Sequence, residues 1–315
     1  MIRIGLDVHE SILGQPPEAS RALMQRVAGA GLDFLVVGDH VSFHGGQGFD
    51  GIVSATFALA AHPALPVLIS VYQLALRHPL TVARQLSSIA QVAPGRLSLG
   101  VGAGGEDRSE ITNAGVDPAT RGRRLDESID VLRLFATGQT VDFEGGFFRL
   151  HHALMLPVPA PPIPLLVGGR SAAALRRVAL RGDGWLPMFV SPRRFRDSLH
   201  QIEEMAAAAG RRLSHRPTLS VWCGVDGDEP RARRLLATAL EQLYSLPYED
   251  FRHITCAGTP AVVAEALAAY VEAGCTDFAM IVVAKSRDRA VELAAEVRRR
   301  LIETPVASAP AASSR

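Results

Sequence analysis

Short apolar runs alternate with longer stretches of helical period along almost the whole chain. Residues 2–8, IRIGLDV, read as a strand. Residues 17–31 follow as a helix, with Leu23, Met24 and Val27 on one face and Gly31 as its stop. The same strand-then-helix order recurs at 33–39 and 51–62, and again at 65–73 and 79–93. A strand at 95–104 runs into a glycine cluster. It is followed by a helix at 120–137, opened by Thr120 and carrying Leu125, Ile129, Leu132 and Phe135. The rhythm breaks at 140–152, TVDFEGGFFRLHH, which reads as a β-hairpin turning at Gly145-Gly146. A proline-rich approach leads into a fifth strand at 157–169. Then come helix 171–181, strand 183–189, helix 192–209, strand 217–225 and helix 229–244. An irregular stretch at 245–258 precedes helix 259–274, a last strand at 277–284 and a last helix at 286–302. The tail from 303 to 315 is small and polar and is expected to be disordered.

Eight strands, each followed by helical text, are thus predicted. They are continuous apolar runs rather than strict alternations, as a parallel sheet covered on both faces requires. The fold class expected is α/β: a TIM (β/α)8 barrel with a β-hairpin insertion after the fourth helix, in one domain over 1–302. A doubly wound open sheet is the rival. It carries GxGxxG after its first strand, where this chain reads GLDVHESILG.

Composition adds exclusions. With 48% hydrophobic and 21% charged residues the chain has ample material for a globular core. A net charge of +1 leaves no electrostatic footprint for nucleic acid. Cys223, Cys256 and Cys275 are odd in number, far apart and without a CxxC pair, which argues against a disulfide framework and a zinc site. No histidine pair has the spacing of metal ligands, so no metal is expected. The opening MIRIGLDV shows no charged leader and cleavage site, and no apolar run reaches the roughly 18 residues of a membrane span. A cytoplasmic protein without membrane partners is the expectation.

In such a barrel the chemistry sits at the C-terminal ends of the strands. Asp7 and His9 stand there on the first strand, and Asp39-His40 on the second. Ser70-Val71-Tyr72-Gln73 end the third, Gly102-Ala103-Gly104-Gly105-Glu106 the fourth and Gly168-Gly169-Arg170-Ser171 the fifth. The run VGGRSAAALRR joins two glycines, an arginine and Ser171 as the cap of an alanine-rich helix. That suits a phosphate, through close backbone approach, free N–H groups and a bidentate cation. A plain tight turn with a solvated arginine has the same text. The glycines at 100–105 fit a backbone packed on a flat ligand or a mobile loop, with Glu106 and Glu110 solvated in the second case. Asp39-His40 carries the chemistry best, because histidine exchanges a proton near neutral pH. Neighbours on a strand point to opposite sides, so one of the pair faces the pocket and the other anchors the loop. The pair could also do no more than hold the loop VSFHGGQGFD.

Several segments, in order along most of the chain, resemble the bacterial luciferase-like monooxygenase superfamily. They are FLVVGDH, RHPLTVARQLSSIAQVAPGRLSLGVGAG, RGRRLDESIDVLRLFATGQTVDFEGGFFRL, PPIPLLVGGRSAAALRRVALRGDGWLP and GTPAVVAEALAAYVEAG. The resemblance implies a TIM barrel whose insertion carries the hairpin, with a flavin or deazaflavin over the C-terminal face. Gly38-Asp39-His40 followed by Val41 is similar to the branch that uses coenzyme F420, rather than to the Glu-His-His of flavin monooxygenases. By that likeness His40 is the acid/base beside the hydride-carrying carbon and Asp39 orients it. A non-prolyl cis peptide falls at Ser70-Val71, against the central ring. Gly168, Gly169, Arg170 and Ser171 take the phosphate, and Gly102, Ala103 and Glu110 stand beside the ring. The polar Gly105-Glu106-Asp107-Arg108 departs from the bulky residue usual there.

The implied activity is hydride transfer between F420 and a small organic molecule, in a homodimer. One alternative is an FMN-dependent two-component monooxygenase served by a flavin reductase; another is a non-catalytic flavin-binding protein. With Lys285 as its one lysine, the chain lacks a basic set for a sugar phosphate. Phe43, Phe49, Trp185, Met188 and Phe189 are read as walls of an apolar substrate pocket or as ordinary core.

Overall fold

The computed structural model describes residues 1–44, 46–105 and 107–303. Its strands are β1 (Arg3–Asp7), β2 (Phe34–Val37), β3 (Val67–Tyr72), β4 (Leu97–Val101), β5 (Val141–Glu144) and β6 (Arg149–Ala153). They continue with β7 (Leu165–Gly168), β8 (Gly184–Leu186), β9 (Thr218–Val225), β10 (Cys256–Gly258) and β11 (Asp277–Val283). Nine of them form one curled parallel sheet in the order β10-β9-β11-β1-β2-β3-β4-β7-β8. The two ends of the curl meet where Ser220 of β9 bridges Met188, its N–H donating to the Pro187 carbonyl at 2.9 Å. The ring therefore contains the eight strands expected. The ninth, β10, extends the edge of β9 beside Cys223–Val225 and falls within the stretch read as irregular. The glycine-linked pair β5 and β6 is antiparallel. It lies on helix Arg121–Phe135, whose Glu127 carboxylate accepts the N–H groups of Gly146 and Phe147.

Alternation along each strand creates two cores, and that explains the continuous apolar runs. Leu35, Val37, Val67, Ile69, Leu97, Leu99, Leu165 and Val167 point outward into the large cluster shared with the helices. Phe34, Val36, Leu68, Leu166, Leu186 and Ala279 point inward and fill the lumen. Glycines make room for the large members. A Cβ on Gly5 would lie 2.1 Å from the Phe34 ring, and one on Gly100 would lie 2.6 Å from Leu186 Cδ2. At the N-terminal end Asp277 closes the barrel through Arg3 at 3.3 Å and Arg216 at 2.9 Å.

The parity also decides between two readings of Trp185. Trp185 lies between the inward residues Gly184 and Leu186, so it points outward. It is fully buried, stacks on Phe195 at 5.1 Å and is core rather than pocket wall. The last helix, Arg287–Glu303, includes the first residue of the expected tail, and 304–315 lie outside the described residues. Glu106, named above at the fourth strand's end, lies outside them as well. Among the described residues no helix is long and apolar enough to cross a membrane.

Candidate active site

The same parity separates Asp39 from His40. Val36 points inward and Val37 outward, so the extension of β2 sends Asp39 outward and His40 towards the mouth of the barrel. Asp39 is 3% exposed and its carboxylate is fully engaged. Oδ1 accepts from Gly51 N–H and Arg77 Nη2, both at 2.8 Å. Oδ2 accepts from Gln73 N–H at 2.8 Å and Arg77 Nη1 at 2.6 Å. Arg77 also reaches Asp50 at 3.1 Å and lies 4.3 Å over the Tyr72 ring. Burial pushes the Asp39 carboxyl above its ordinary range, and Arg77 and the two backbone N–H groups offset this only in part. A bidentate pairing of this geometry keeps both partners charged. The expectation that Asp39 orients His40 is therefore corrected: its lone pairs serve Arg77 and the backbone, and it ties the loop after β2 to the end of β3.

Glu110 and Gln73 contact His40 instead. Glu110, expected beside a cofactor ring or in solvent, is 3% exposed in helix Arg108–Asn113. Its Oε1 accepts the N–H groups of Val41 at 2.5 Å and Ser42 at 3.1 Å. Its Oε2 accepts Gln73 Nε2 at 2.8 Å and stands 3.4 Å from His40 Nδ1. Burial pushes the Glu110 carboxyl up. The bonds from Gln73, Ser42 and Val41, with the charge of His40, outweigh it and hold the group below the usual carboxylate range. An ionised carboxylate only accepts, so Nδ1 of His40 carries its proton towards Glu110 and Nε2 becomes the nitrogen free to exchange. Phe43 stacks on the His40 ring at 4.1 Å and fixes its plane. Gly104 is required here on two counts: its φ is +70°, and a Cβ would stand 2.6 Å from Gln73 Oε1.

His9, just past β1, completes this corner. Its ring is half-buried, 6.3 Å from the His40 ring and 6.0 Å from Phe49. Burial, then the charge of His40, lower its pKa to about 4. Among the described residues its Nδ1 has no hydrogen-bond partner, and the same holds for Gln73 Oε1 and Trp222 Nε1. Orphaned buried polar atoms are uncommon in native folds, and His9 Nδ1 and Gln73 Oε1 are two of them, on residues beside His40.

The Ser70-Val71 peptide is cis, and the β3–β4 register shifts between Ile69 and Tyr72. This bulge turns Val71 inward. A Cβ on Gly102 would lie 2.6 Å from Val71 Cγ2, and one on Gly168 would lie 3.2 Å from Val71 Cγ1. The first neighbour of both glycines is thus the bulge. Ala103 packs against the outer core, away from the mouth.

The loop after β7 leads into helix Ala172–Arg181, and the Ser171 hydroxyl caps the Ala174 N–H at 3.2 Å. Gly169 has φ +100°, and its carbonyl accepts the Trp185 indole N–H at 2.8 Å. Arg170 is exposed and donates to the Phe189 carbonyl, and Arg194 donates to the Arg170 carbonyl at 2.8 Å. Two arginines thus stand by a helix start whose first residues, Ala172 and Ala173, are exposed, while Ser171 caps Ala174. The expected phosphate residues lie together here, at the same end of the barrel as His40 but on the strand side opposite β1 and β2. Phe189 meets Tyr244 at 5.4 Å and Phe251 at 5.2 Å, and Trp222 meets Tyr244 at 6.3 Å. This aromatic group walls the mouth beside β9. Sequence reasoning missed it apart from Phe189; the inward parity of Trp222 with Ser220 was the available signal.

The sequence matches the family described as luciferase-like monooxygenase over residues 1–277. It is 32% identical over 160 residues to an F420-dependent glucose-6-phosphate dehydrogenase of Nakamurella multipartita, covering 49% of this chain and 47% of that protein. It is 30% identical over 220 residues to an F420-dependent hydroxymycolic acid dehydrogenase of Mycobacterium tuberculosis, covering 64% of this chain and 60% of that protein. The chain spans about half the length of the curated relatives it matches first. The fold superposes on an F420-dependent secondary alcohol dehydrogenase in complex with an F420-acetone adduct, with a TM-score of 0.84 at 21% identity. That match covers 95% of this chain and 99% of the other.

Proposed function

The chain belongs to the luciferase-like monooxygenase family, and from that premise we propose that it is an oxidoreductase that transfers hydride between coenzyme F420 and a small uncharged organic substrate, with His40 as acid/base. The observation that carries this reading is the His40–Glu110 contact at the barrel mouth, held by Gln73 and framed by Phe43. The site's donor set suits the cofactor. The exposed start of helix Ala172–Arg181 with Ser171, Arg170 and Arg194 fits a phosphate, and the Val71 bulge offers an apolar backing for a flat ring. When bound, a deazaflavin supplies two-electron hydride chemistry and does not activate oxygen. His40 Nε2 takes a proton from a substrate hydroxyl, or returns one to a carbonyl. Glu110 holds the imidazole in the tautomer that allows it and stabilises the imidazolium that forms. Asp39 acts through the backbone of its loop and is a positioning residue.

The reading in which FMN and oxygen replace F420 is favoured by the family's description, and the phosphate corner serves FMN equally. It needs a reductase partner and a water-excluding pocket. A second copy of this chain is a further proposed partner. Its seat is the apolar helix Gly51–Ala61, which leaves Val53 56% exposed.

Cofactor choice is tested by titrating the protein with oxidised F420 and, separately, with FMN, following fluorescence quenching. The expected result is tight F420 binding and weak FMN binding. Preference for FMN replaces hydride transfer with oxygenation. Binding of neither contradicts both readings.

A further inference from the structure

We propose that Asp107 is a positioning residue for His40: its carboxylate holds the tip of the loop after β2 and so keeps the Phe43 ring against the His40 imidazole. The inference rests on the acid/base role proposed for His40 and concerns what holds its ring.

The loop after β2 runs to helix Gly51–Ala61 and is closed on itself. The His40 N–H donates to the Phe49 carbonyl at 3.0 Å, and Phe43 and Gln47 exchange both backbone bonds, at 3.0 and 2.8 Å. His44, at the turn, has φ +33°, a left-handed conformation that a residue with a side chain keeps only where its surroundings hold it.

Asp107 supplies that hold. It caps helix Arg108–Asn113, and its side chain is 11% exposed. Its two oxygens have different partners. Oδ1 accepts the Ser109 N–H at 2.8 Å and the Ser109 hydroxyl at 2.6 Å. Oδ2 accepts the His44 N–H at 3.0 Å and stands 3.7 Å from His44 Nδ1. The Ser109 hydroxyl, then the His44 N–H, lower the pKa of Asp107 to about 2, so the group is ionised and only accepts. Glu110, three residues on, accepts the N–H groups of Val41 and Ser42. One short helix thus ties the loop at its base through Glu110 and at its tip through Asp107.

Phe43 lies between the two ties. It is 5% exposed, with its ring 4.1 Å from that of His40 and 4.0 Å from that of His44. Glu110 and Gln73 meet His40 at one atom, Nδ1, each at 3.4 Å. Contacts at one atom leave a ring free to turn about it, and a second ring stacked on its face sets the plane. That plane aims Nε2, and a misplacement of about 1 Å is enough to slow a reaction by about 10²-fold.

Asp107→Asn separates the two tasks of the side chain. Asparagine caps a helix as well as aspartate does. Its amide has one accepting oxygen, however, and with that oxygen on Ser109 the NH2 group faces the His44 N–H, donor against donor. Ser109→Ala is the control, because it removes a bond to Oδ1 and leaves the tie to His44. Protein labelled with 13C-histidine reads the ring by NMR, the His40 signals being assigned by their loss in His40→Ala. A proton over an aromatic face is shielded, so Phe43→Leu is expected to move the His40 ring-proton signals downfield. Asp107→Asn should move them in the same direction, and Ser109→Ala should leave them in place. With oxidised F420 and cyclohexanol, Asp107→Asn should lower kcat by about 10- to 10²-fold with little change in KM, and Ser109→Ala should keep the wild-type rate. His40 signals that stay in place in Asp107→Asn, or in Phe43→Leu, overturn the proposal. A shifted ring with unchanged kcat overturns the positioning role while hydride transfer stands. If the wild-type protein does not reduce F420 with the alcohol, the hydride-transfer reading falls by itself, and the His40 signals still decide whether Asp107 holds the ring. Should Asp107→Asn fail to fold, Asp107→Ser, which keeps the cap with a single oxygen, makes the same comparison.

Discussion

Replacing His40 with Ala is expected to lower kcat for hydride transfer by about 10²–10⁴-fold, while F420 affinity stays close to that of the wild type. The expectation follows from the position of the ring. Nδ1 is 3.4 Å from a buried, ionised Glu110 and Phe43 stacks on one face, so the ring is held for proton exchange through Nε2. The loop after β7, proposed above for the phosphate, lies on the far side of the mouth from His40. Glu110→Gln should reduce kcat in the same direction, because an amide cannot stabilise an imidazolium as a carboxylate does. It should also loosen residues 41–42, whose N–H groups Glu110 accepts. Stopped-flow loss of the oxidised F420 absorbance measures both variants. A His40→Ala enzyme within tenfold of wild type contradicts an acid/base role.

Asp39→Ala is expected to act on stability instead, by about 3–5 kcal/mol. Removing the carboxylate leaves Arg77, whose side chain is 17% exposed, with Asp50 as its remaining carboxylate, and strips the N–H groups of Gly51 and Gln73 of their acceptor. Arg77→Met should cost a similar amount by stranding the Asp39 charge. The two changes share one interaction, so the double variant should fall well short of their sum. Urea denaturation of the three proteins measures this. A loss below about 1 kcal/mol for either single variant is the behaviour of a surface ion pair and contradicts the anchoring role.

The barrel was legible because each ring strand is apolar on both faces, one turned to the lumen and one to the helices. β10 was missed because three residues, Cys256–Gly258, carry no period. In the site, the separation of Asp39 from His40 followed from strand parity, but the partners did not. Arg77 lies 38 residues from Asp39 and Glu110 lies 70 from His40. In the sequence Arg77 is one more charged residue, and Glu110 stood out only through the family resemblance; only the fold shows that Glu110 is buried against His40. Gly102 and Gly168 read as room for a ligand, and in the fold their first neighbour is Val71. Trp185 read equally as pocket wall or core, and the inward direction of Leu186, one position on, decides for core.

The central claim is hydride transfer at the His40 corner. It is tested most directly by mixing the protein anaerobically with oxidised F420 and a panel of secondary alcohols, cyclohexanol first, and following the loss of deazaflavin absorbance. The account predicts alcohol-dependent reduction by the wild-type protein that His40→Ala abolishes. No reduction by any alcohol, together with oxygen uptake when reduced FMN is supplied, would contradict it and turn the site to oxygenation.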